Sequence, residues 1–248
     1  MFDAYKEIFN QRGALYHKAM VSYPLAREEE FKAIIDLAAI RDGQIVCDVP
    51  SGGGYLNRFI DGDVQVISLE TSIEFLKHCR QKPGVSRVLC DLHSLPLKPS
   101  SIDIIVSVAG LHHVQVKDPF YREAYRLLKP GGRFCVADVE EGSRVSHFLD
   151  EFVDQHNSMG HKGAYITPTT VDALESAGFK IFHHSRLAFH WTFDALDDMS
   201  SYIALLFGLD KASPADIQKG LQSYLGYQEV DGRYRLNWGL LFIGASKV

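Results

Sequence analysis

A glycine-rich turn directly after an apolar run carries the clearest chemical signal in this sequence. Residues 45–49 read Ile-Val-Cys-Asp-Val, which is typical of a buried strand, and three glycines follow at 52–54. Glu70 comes about twenty residues further on. Glycines at such a turn let backbone N–H groups approach a ligand, and a carboxylate that ends the next strand can hold two ribose hydroxyls. The pattern indicates a nucleotide-type cofactor.

The same turn lacks the residues that usually hold phosphates. Asn57 stands where a dinucleotide fingerprint has its third glycine, and no Gly-Lys-Ser/Thr follows as in a triphosphate-binding loop. We therefore expect a nucleoside ligand without phosphates.

Size and composition favour one large α/β domain with a cap. The chain has 248 residues, of which 46% are apolar and 23% charged, an ordinary globular composition. No apolar stretch reaches the roughly eighteen residues of a membrane span, and the N-terminus does not resemble a secretory signal. The expected protein is cytoplasmic and not bound to a membrane.

The cysteine spacing and the net charge argue against two kinds of ligand, a metal bound by paired cysteines and nucleic acid. The four cysteines contain no Cys-x-x-Cys pair, so we interpret them as buried thiols; they are Cys47, Cys79, Cys90 and Cys135. A formal charge of −5 leaves no general basic surface for nucleic acid. This balance favours a small neutral or cationic substrate.

Strands and helices alternate along the first part of the chain. Apolar spacing predicts a helix over 31–40. It then predicts strands at 45–49, 64–69, 87–90, 102–107 and 133–139, with helices at 72–80 and 119–128 and a break at 129–132. Such alternation implies right-handed crossovers and a doubly wound, mainly parallel α/β sheet covered on both faces.

After the fifth strand the pattern loosens and predicts a cap. The expected elements are helices at 145–156 and 168–177, extended runs at 180–184 and 187–193, a helical pair at 196–207 and 214–225, and a final strand at 234–246. An insertion at about 194–231 would cover the ligand mouth. Residues 1–30 are expected to form a partner lid, whose aromatic side chains either close over the cofactor or pack on the sheet edge. Tyr16 and Tyr23 are its substrate-facing candidates.

Three segments together resemble the class I S-adenosylmethionine-dependent methyltransferases, in particular their small-molecule branch of methyltransferase type 11. The segments are Asp48-x-Pro50-x-Gly52-x-Gly54, residues 102–114 and residues 126–134, with Glu70 and Asp91 ending strands two and three. The resemblance covers roughly residues 40–139. It implies a Rossmann-like sheet of seven strands with S-adenosylmethionine as the cofactor.

The resemblance also implies roles for individual residues. The glycine turn would border the methionine moiety, Glu70 would bind the ribose diol, and Asp91 would lie beside the adenine amine. The implied cofactor-binding set is Asp48, Pro50, Ser51, Gly52, Gly54, Glu70, Asp91, Leu92, Val108 and Ala109. Pro50 departs from the family, which usually has glycine there. Because proline fixes φ near −65° and lacks an N–H, the turn must be reshaped if that position needs positive φ.

Histidines are the base candidates for a methyl transfer. The sulfonium cofactor carries its own leaving group, so the protein must align the acceptor and exclude water, and a hydroxyl acceptor also needs its proton removed. His112 and His113 follow strand four and either contact substrate or shape the loop. His156 and His161 follow strand five and either border the substrate or lie on a solvated face. No histidine spacing predicts a metal site, and no Gly-x-Ser-x-Gly predicts a hydrolase.

Three functions remain open from the sequence. The leading hypothesis is methylation of oxygen or nitrogen, with carbon as a further option, on a small-molecule acceptor. The second is methylation of RNA or a carrier-bound acyl group, against which the acidic balance counts. The third is a non-catalytic cofactor-binding protein, for which Pro50 is the support. A monomer and a homodimer are equally compatible with the sequence.

Overall fold

A central sheet of eight strands organises the computed structural model, which describes residues 4–79 and 83–248. The strands are β1 Ile45–Asp48, β2 Gln65–Glu70, β3 Val85–Leu89, β4 Ile102–Val108, β5 Leu128–Asp138, β6 Phe179–Phe193, β7 Tyr227–Val230 and β8 Arg233–Lys247. Their order is β3-β2-β1-β4-β5-β8-β6, with β7 paired to β8. The first five strands run parallel, whereas β8 is antiparallel to β5, β6 and β7. The doubly wound, mainly parallel sheet is confirmed.

The strand pattern differs from the predicted one in three places. The expected seven strands become eight because β7 forms a hairpin with β8, and Asp231 and Gly232 at its tip both have positive φ, as a tight two-residue turn requires. The two extended runs predicted before the cap form one strand, β6. β5 begins at Leu128, so the predicted break at 129–132 lies inside the strand, where Gly131 adopts positive φ.

The helices agree closely with the sequence pattern. They are α1 Ala4–Ser22, α2 Glu28–Ala38, α3 Ile73–His78, α4 Asp118–Leu127, α5 144–156, α6 Thr169–Ser176, α7 Leu196–Phe207 and α8 Pro214–Tyr224. Residues 1–3 of the predicted lid and Arg80 of the helix predicted at 72–80 lie outside the described residues. Ser72 caps α3 by accepting from the N–H of Phe75, and Ser213 forms a capping box with Asp216 on α8. Within the described residues, no helix combines the length and apolarity that crossing a membrane would require.

Alternate side chains of the central strands pack into two hydrophobic cores, one on each face of the sheet. On β5, Phe134 and Val136 belong to the core on one face, and Cys135 and Ala137 belong to the core on the other. This is the period of two expected of a strand buried on both faces. The lid helix α1 lies on the same side as the cap helices, since Tyr202 on α7 donates to Met20 on α1.

A buried ion pair joins the lid, α2 and β6. Arg27, which precedes α2, pairs with Glu30, and both are almost completely buried. Arg27 also donates to the hydroxyl of Tyr16 on α1 (2.6 Å), and the indole N–H of Trp191 on β6 donates to Glu30 (2.8 Å). The guanidinium lies 5.2 Å from the Trp191 ring centroid. Three separate elements therefore meet at one pair of charges.

Removing one partner of this pair should be costly. We expect Arg27→Met to destabilise the protein by about 3–5 kcal/mol, because Glu30 would remain buried without its cation. The double variant Arg27→Met/Glu30→Gln should recover much of that loss, as urea unfolding will measure. Equal losses in the single and double variants would contradict a role for uncompensated charge.

Candidate functional site

In the glycine turn after β1, the residues with positive φ are glycines and not Pro50. The positive φ angles fall on Gly52 and Gly54. Ser51 donates its N–H to the carbonyl of Leu69, and Gly54 donates to the carbonyl of Ser51, both at 2.9 Å. A Cβ on Gly54 would lie 2.6 Å from the sulfur of Cys79, so this close approach needs glycine. The reshaped turn does not require positive φ at position 50.

Glu70, at the end of β2, gathers several donors at the turn. Its carboxylate accepts from the hydroxyl of Tyr5 (3.0 Å) and from the N–H groups of Gly52 (2.6 Å), Thr71 (2.7 Å) and Ser72 (2.8 Å). Burial raises the pKa of Glu70 to about 7, against the opposing effect of these donors. Glu70, the acid predicted to bind a ribose diol, therefore lies at the glycine turn, and the hydroxyl of Tyr5 from the lid donates to it.

Asp48, at the end of β1, is a buried carboxylate with spare hydrogen-bonding capacity. Its Oδ2 atom has no partner among the described residues. Burial and the neighbouring Glu70 raise its pKa well above the usual value. A buried oxygen without a donor is unfavourable, so Asp48 is suited to a ligand that supplies an N–H or ammonium group.

A cavity lies between the turn, the end of β4 and the lid. We call it the glycine-turn cavity. Its lining includes six of the predicted cofactor residues, namely Asp48, Pro50, Ser51, Gly52, Val108 and Ala109. Tyr5, Phe9 and Tyr16 of α1 close it from above. The fold thus brings most of the predicted set to one place and covers it with the predicted lid.

The remaining predicted cofactor residues lie around this cavity and not in its wall. Gly54 lines a separate cavity beside His17 and His78. Asp91 is exposed and accepts from the N–H of His93 (2.8 Å), while Leu92 beside it is buried. Their predicted contacts with the turn and with adenine stay predictions.

A second cavity adjoins the first and shares Phe9, Tyr16, Arg27 and Ala109 with it. We call it the histidine chamber because His112, His113 and His161 line it. Its aromatic wall includes Trp191, Trp238 and Phe207, and the two indole rings stack with centroids 4.0 Å apart. The chamber is therefore largely apolar, with nitrogen donors and acceptors grouped on one side.

His112 forms a buried dyad with Asp138, the last residue of β5. Its Nδ1 lies 2.6 Å from Oδ1 of Asp138. Burial pushes the pKa of Asp138 upward, but His112 and the backbone N–H of Val139 outweigh it and hold the pKa below the usual value. The carboxylate is thus ionised and accepts from Nδ1–H, which leaves Nε2 of His112 as a proton acceptor.

The other two chamber histidines are neutral near physiological pH. Burial and the nearby His112 and His161 lower the pKa of His113 well below the usual value. Burial also lowers the pKa of His161, although its Nδ1 lies 3.2 Å from Asp150. The three histidines offer ring nitrogens within 4.8 Å of one another. The metal prediction rested on spacing along one helix, and that test could not detect a group assembled from two separate loops.

Two of the four predicted substrate residues lie outside both cavities. Tyr16 and His161 line the chamber, and their contact with a substrate stays a prediction. Tyr23 instead donates to Asp198 on α7 (3.2 Å), because the lid packs on the cap there. His156 uses its Nδ1 on the carbonyl of Phe152 (2.8 Å) within α5. Both are occupied by packing contacts of the lid and cap.

Sequence reasoning missed several residues of the site. Arg12, Arg27, Trp191 and Trp238 reach the chamber from distant elements, and no local pattern marks them. Asp138 had a usable signal, because an acid at the end of a parallel strand lies at the ligand-binding edge of such sheets.

Comparison with known proteins agrees with this geometry. Residues 47–136 match the family model described as a methyltransferase domain. This part of the chain is therefore similar to methyltransferase domains. Over a stretch of 134 residues, the chain is 30% identical to the ubiquinone/menaquinone biosynthesis C-methyltransferase UbiE of Pseudomonas aeruginosa, covering 50% of this chain and 52% of that protein. The chain spans about half the length of the curated relatives it matches.

Solved structures extend the likeness of the methyltransferase fold to nearly the whole chain. An S-adenosylmethionine-dependent methyltransferase of Thermotoga maritima superposes with a TM-score of 0.65 at 18% identity, covering 98% of this chain and 99% of that one. Phosphoethanolamine N-methyltransferase 2 of Haemonchus contortus, in complex with S-adenosyl-L-methionine, gives 0.66 at 18% identity, covering 98% and 60%. At these identities the likeness concerns the fold.

The raised pKa of Glu70 should appear in the pH dependence of stability. A carboxyl group whose pKa rises to about 7 on folding contributes stability at low pH that is lost as the pH rises toward 7. We expect the wild type to lose about 2–4 kcal/mol relative to Glu70→Gln between roughly pH 4.5 and 7. Urea unfolding of both proteins across this range checks it, and parallel curves would contradict the assignment.

Proposed function

We propose that this protein transfers a methyl group from S-adenosylmethionine to oxygen or nitrogen of a small molecule held in the histidine chamber. The observation that carries the proposal is the shared wall of the two cavities. Ala109 borders both, with the glycine turn on one side and His112 on the other. An acceptor in the chamber would therefore lie beside a cofactor in the glycine-turn cavity, which is the proximity that direct transfer needs.

The donor and acceptor groups of the glycine-turn cavity suit this cofactor. Asp48 offers an unpartnered carboxylate oxygen, which an ammonium group would satisfy. Glu70 offers a carboxylate for vicinal hydroxyls, the role that such acids have at strand ends. When bound, S-adenosylmethionine supplies an activated methyl group and its own thioether leaving group. The chain itself has to bind, orient and exclude water.

The lid must move for this to happen. Tyr5 now donates to the Glu70 oxygen that also accepts from Gly52, so ribose hydroxyls would have to displace the Tyr5 hydroxyl. Tyr5 and Phe9 pack on each other with ring centroids 4.6 Å apart and would withdraw together. Once α1 returned, the same aromatic residues would exclude water from the transfer.

His112 is the proposed base for a hydroxyl or ammonium acceptor. Asp138 holds Nδ1–H, so Nε2 can accept a proton while the nearby carboxylate stabilises the resulting imidazolium. His113 packs against His112 with centroids 4.1 Å apart and limits the positions that His112 can adopt. An unprotonated amine would need orientation alone.

The enclosed chamber favours a small molecule over a macromolecule. Its walls come from the lid, the cap and the sheet, so a ligand of metabolite size would enter as the lid withdraws and would then be enclosed on several sides. Carbon methylation, which the name of the UbiE relative specifies for that protein, is the second candidate. It would require a ring carbon that is itself nucleophilic, and His112 would then deprotonate a neighbouring hydroxyl.

Calorimetry with the cofactor and its product tests whether the protein binds S-adenosylmethionine, as the proposal requires. We expect S-adenosylmethionine and S-adenosylhomocysteine to bind the wild type at micromolar concentrations. Glu70→Gln should weaken both at least tenfold, because the anionic acceptor for the ribose diol is lost. Tyr5→Phe should tighten both severalfold, because it removes the competing hydroxyl.

No heat from either ligand, in protein that unfolds cooperatively, would contradict a cofactor site. A surface control, Arg58→Gln, should bind as the wild type does, since Arg58 is exposed, lies outside the glycine-turn cavity and the histidine chamber, and donates to the carbonyl of Pro24.

Formation of S-adenosylhomocysteine in an acceptor screen tests the second half. For any hydroxyl acceptor found, His112→Gln should lower kcat about 10²–10⁴-fold with little change in cofactor affinity. Asp138→Asn should also lower kcat, since it would favour the wrong tautomer. His156→Gln is the matched control, because this histidine lies outside both cavities. Undiminished turnover by His112→Gln at every pH would exclude it as the base.

A further inference from the structure

We infer that Arg12 binds an anionic group of the methyl acceptor, so that the substrate of the proposed methyl transfer is an organic acid. The inference rests on the proposed function, since it concerns the ligand of the histidine chamber. Arg12 lies on the lid helix α1 and lines that chamber.

The hydrogen-bonding capacity of Arg12 is mostly unused. A guanidinium has five N–H donors. Nη2 donates to the carbonyl of Leu206 (3.0 Å), whereas Nε is buried without a partner. Within residues 4–79 and 83–248, no carboxylate lies within ion-pair distance of Arg12. Burial lowers its pKa to about 10, against the opposing effects of Tyr16 and of Asp210, which lies beyond ion-pair distance, so Arg12 remains charged at physiological pH.

A partly buried cation without a counter-ion destabilises the folded protein unless another group supplies the negative charge. The protein shows the alternative nearby, because Arg27 lines the same chamber and is fully compensated by Glu30. Burying a cation without an anion opposes folding, and such groups persist where a ligand supplies the missing partner. Arg27 therefore has a carboxylate partner within the protein, whereas Arg12 faces the chamber without one among the described residues.

The position of Arg12 favours the acceptor over the cofactor as the source of the anion. Arg12 lines the histidine chamber and is absent from the lining of the glycine-turn cavity, whereas Arg27 borders both. The chamber also has a stacked indole pair, Trp191 and Trp238, which suits a flat ring next to the anionic group. The net charge of −5 favoured a neutral or cationic substrate, but that balance describes the whole chain and not this cavity.

The charge of Arg12 disfavours a metal ion in place of the anion. The three chamber histidines each offer a ring nitrogen within 4.8 Å of the others, so they could by themselves hold a metal ion. Arg12 is among the charges that lower the pKa of both His113 and His161, so it would also repel a divalent cation placed between them.

The experiment compares anions with neutral molecules of the same shape. Benzoate and phenyl phosphate are titrated against benzamide and benzyl alcohol by calorimetry, in the presence of saturating S-adenosylhomocysteine. We expect at least one anion to bind the wild type ten times more tightly than both neutral molecules. Arg12→Gln should remove that preference, Arg12→Lys should keep part of it, and the surface control Arg58→Gln should keep all of it.

Stability measurements separate a binding role from a structural one. Arg12→Gln should raise the Tm of the ligand-free protein by a few degrees, because an uncompensated charge is removed. Its affinity for S-adenosylhomocysteine should not change. A lower Tm together with weaker binding of every ligand would instead make Arg12 a structural residue and overturn the inference.

Other outcomes also decide the matter. Equal binding of anions and neutral molecules, or unchanged anion binding in Arg12→Gln, would refute the inference while leaving the methyltransferase proposal intact. Weaker S-adenosylhomocysteine binding in Arg12→Gln would assign Arg12 to the cofactor's carboxylate. Zinc binding that is lost in His161→Gln would favour the metal. If S-adenosylhomocysteine did not bind the wild type, the proposed function would fail, and titration of the ligand-free protein would still decide whether Arg12 selects anions.

Discussion

The buried pair of Arg27 and Glu30 is the interaction on which the arrangement of both cavities depends. Two charges removed from water are stable only when their geometry is good and their remaining hydrogen-bonding capacity is filled. Tyr16 from the lid and Trp191 from β6 fill it here. The pair therefore ties three elements to one point, and Arg27 also lines both cavities. Lid, sheet and cap are held in register around the place where cofactor and acceptor would meet.

Three strands of the parallel sheet end in carboxylates, and their partners give them different properties. Asp48 and Glu70 lack a cation, so burial raises the pKa of each. Asp138 is equally buried, but His112 and backbone N–H groups keep its pKa low. One edge of one sheet thus presents two easily protonated acids toward the glycine turn and an ionised one toward the histidine chamber. Pairs of acids separated in this way commonly divide tasks in active sites.

Short stretches of sequence were sufficient to predict the sheet and the glycine turn, but they were insufficient to predict the histidine chamber. Strand and helix positions follow from periodicity within ten residues or so, and Glu70 follows from its distance to the glycine turn. The eighth strand was missed because the Asp231-Gly232 turn was not recognised as a hairpin signal. The contact of Trp191 with Glu30 joins residues far apart in sequence, as does that of Arg12 with Leu206. Such pairings depend on how α1 and the cap fold back over the sheet, which no short window of sequence contains.

Most of the residues that line the chamber lie outside the family match, either before it or after it. Residues 47–136 include the glycine turn, Glu70 and the His112-His113 pair, whereas Arg12, Trp191 and Trp238 all lie outside them. Under the proposed function, the glycine turn and the last third of the chain would serve the cofactor and the acceptor respectively, while the lid borders both cavities. Mutations of chamber residues in the last third of the chain are therefore expected to change the acceptor with little effect on cofactor binding. Acceptor preference is accordingly expected to diverge faster among homologues than the methyltransferase core, and exchanging these flanking segments offers a direct route to chimaeras with altered specificity.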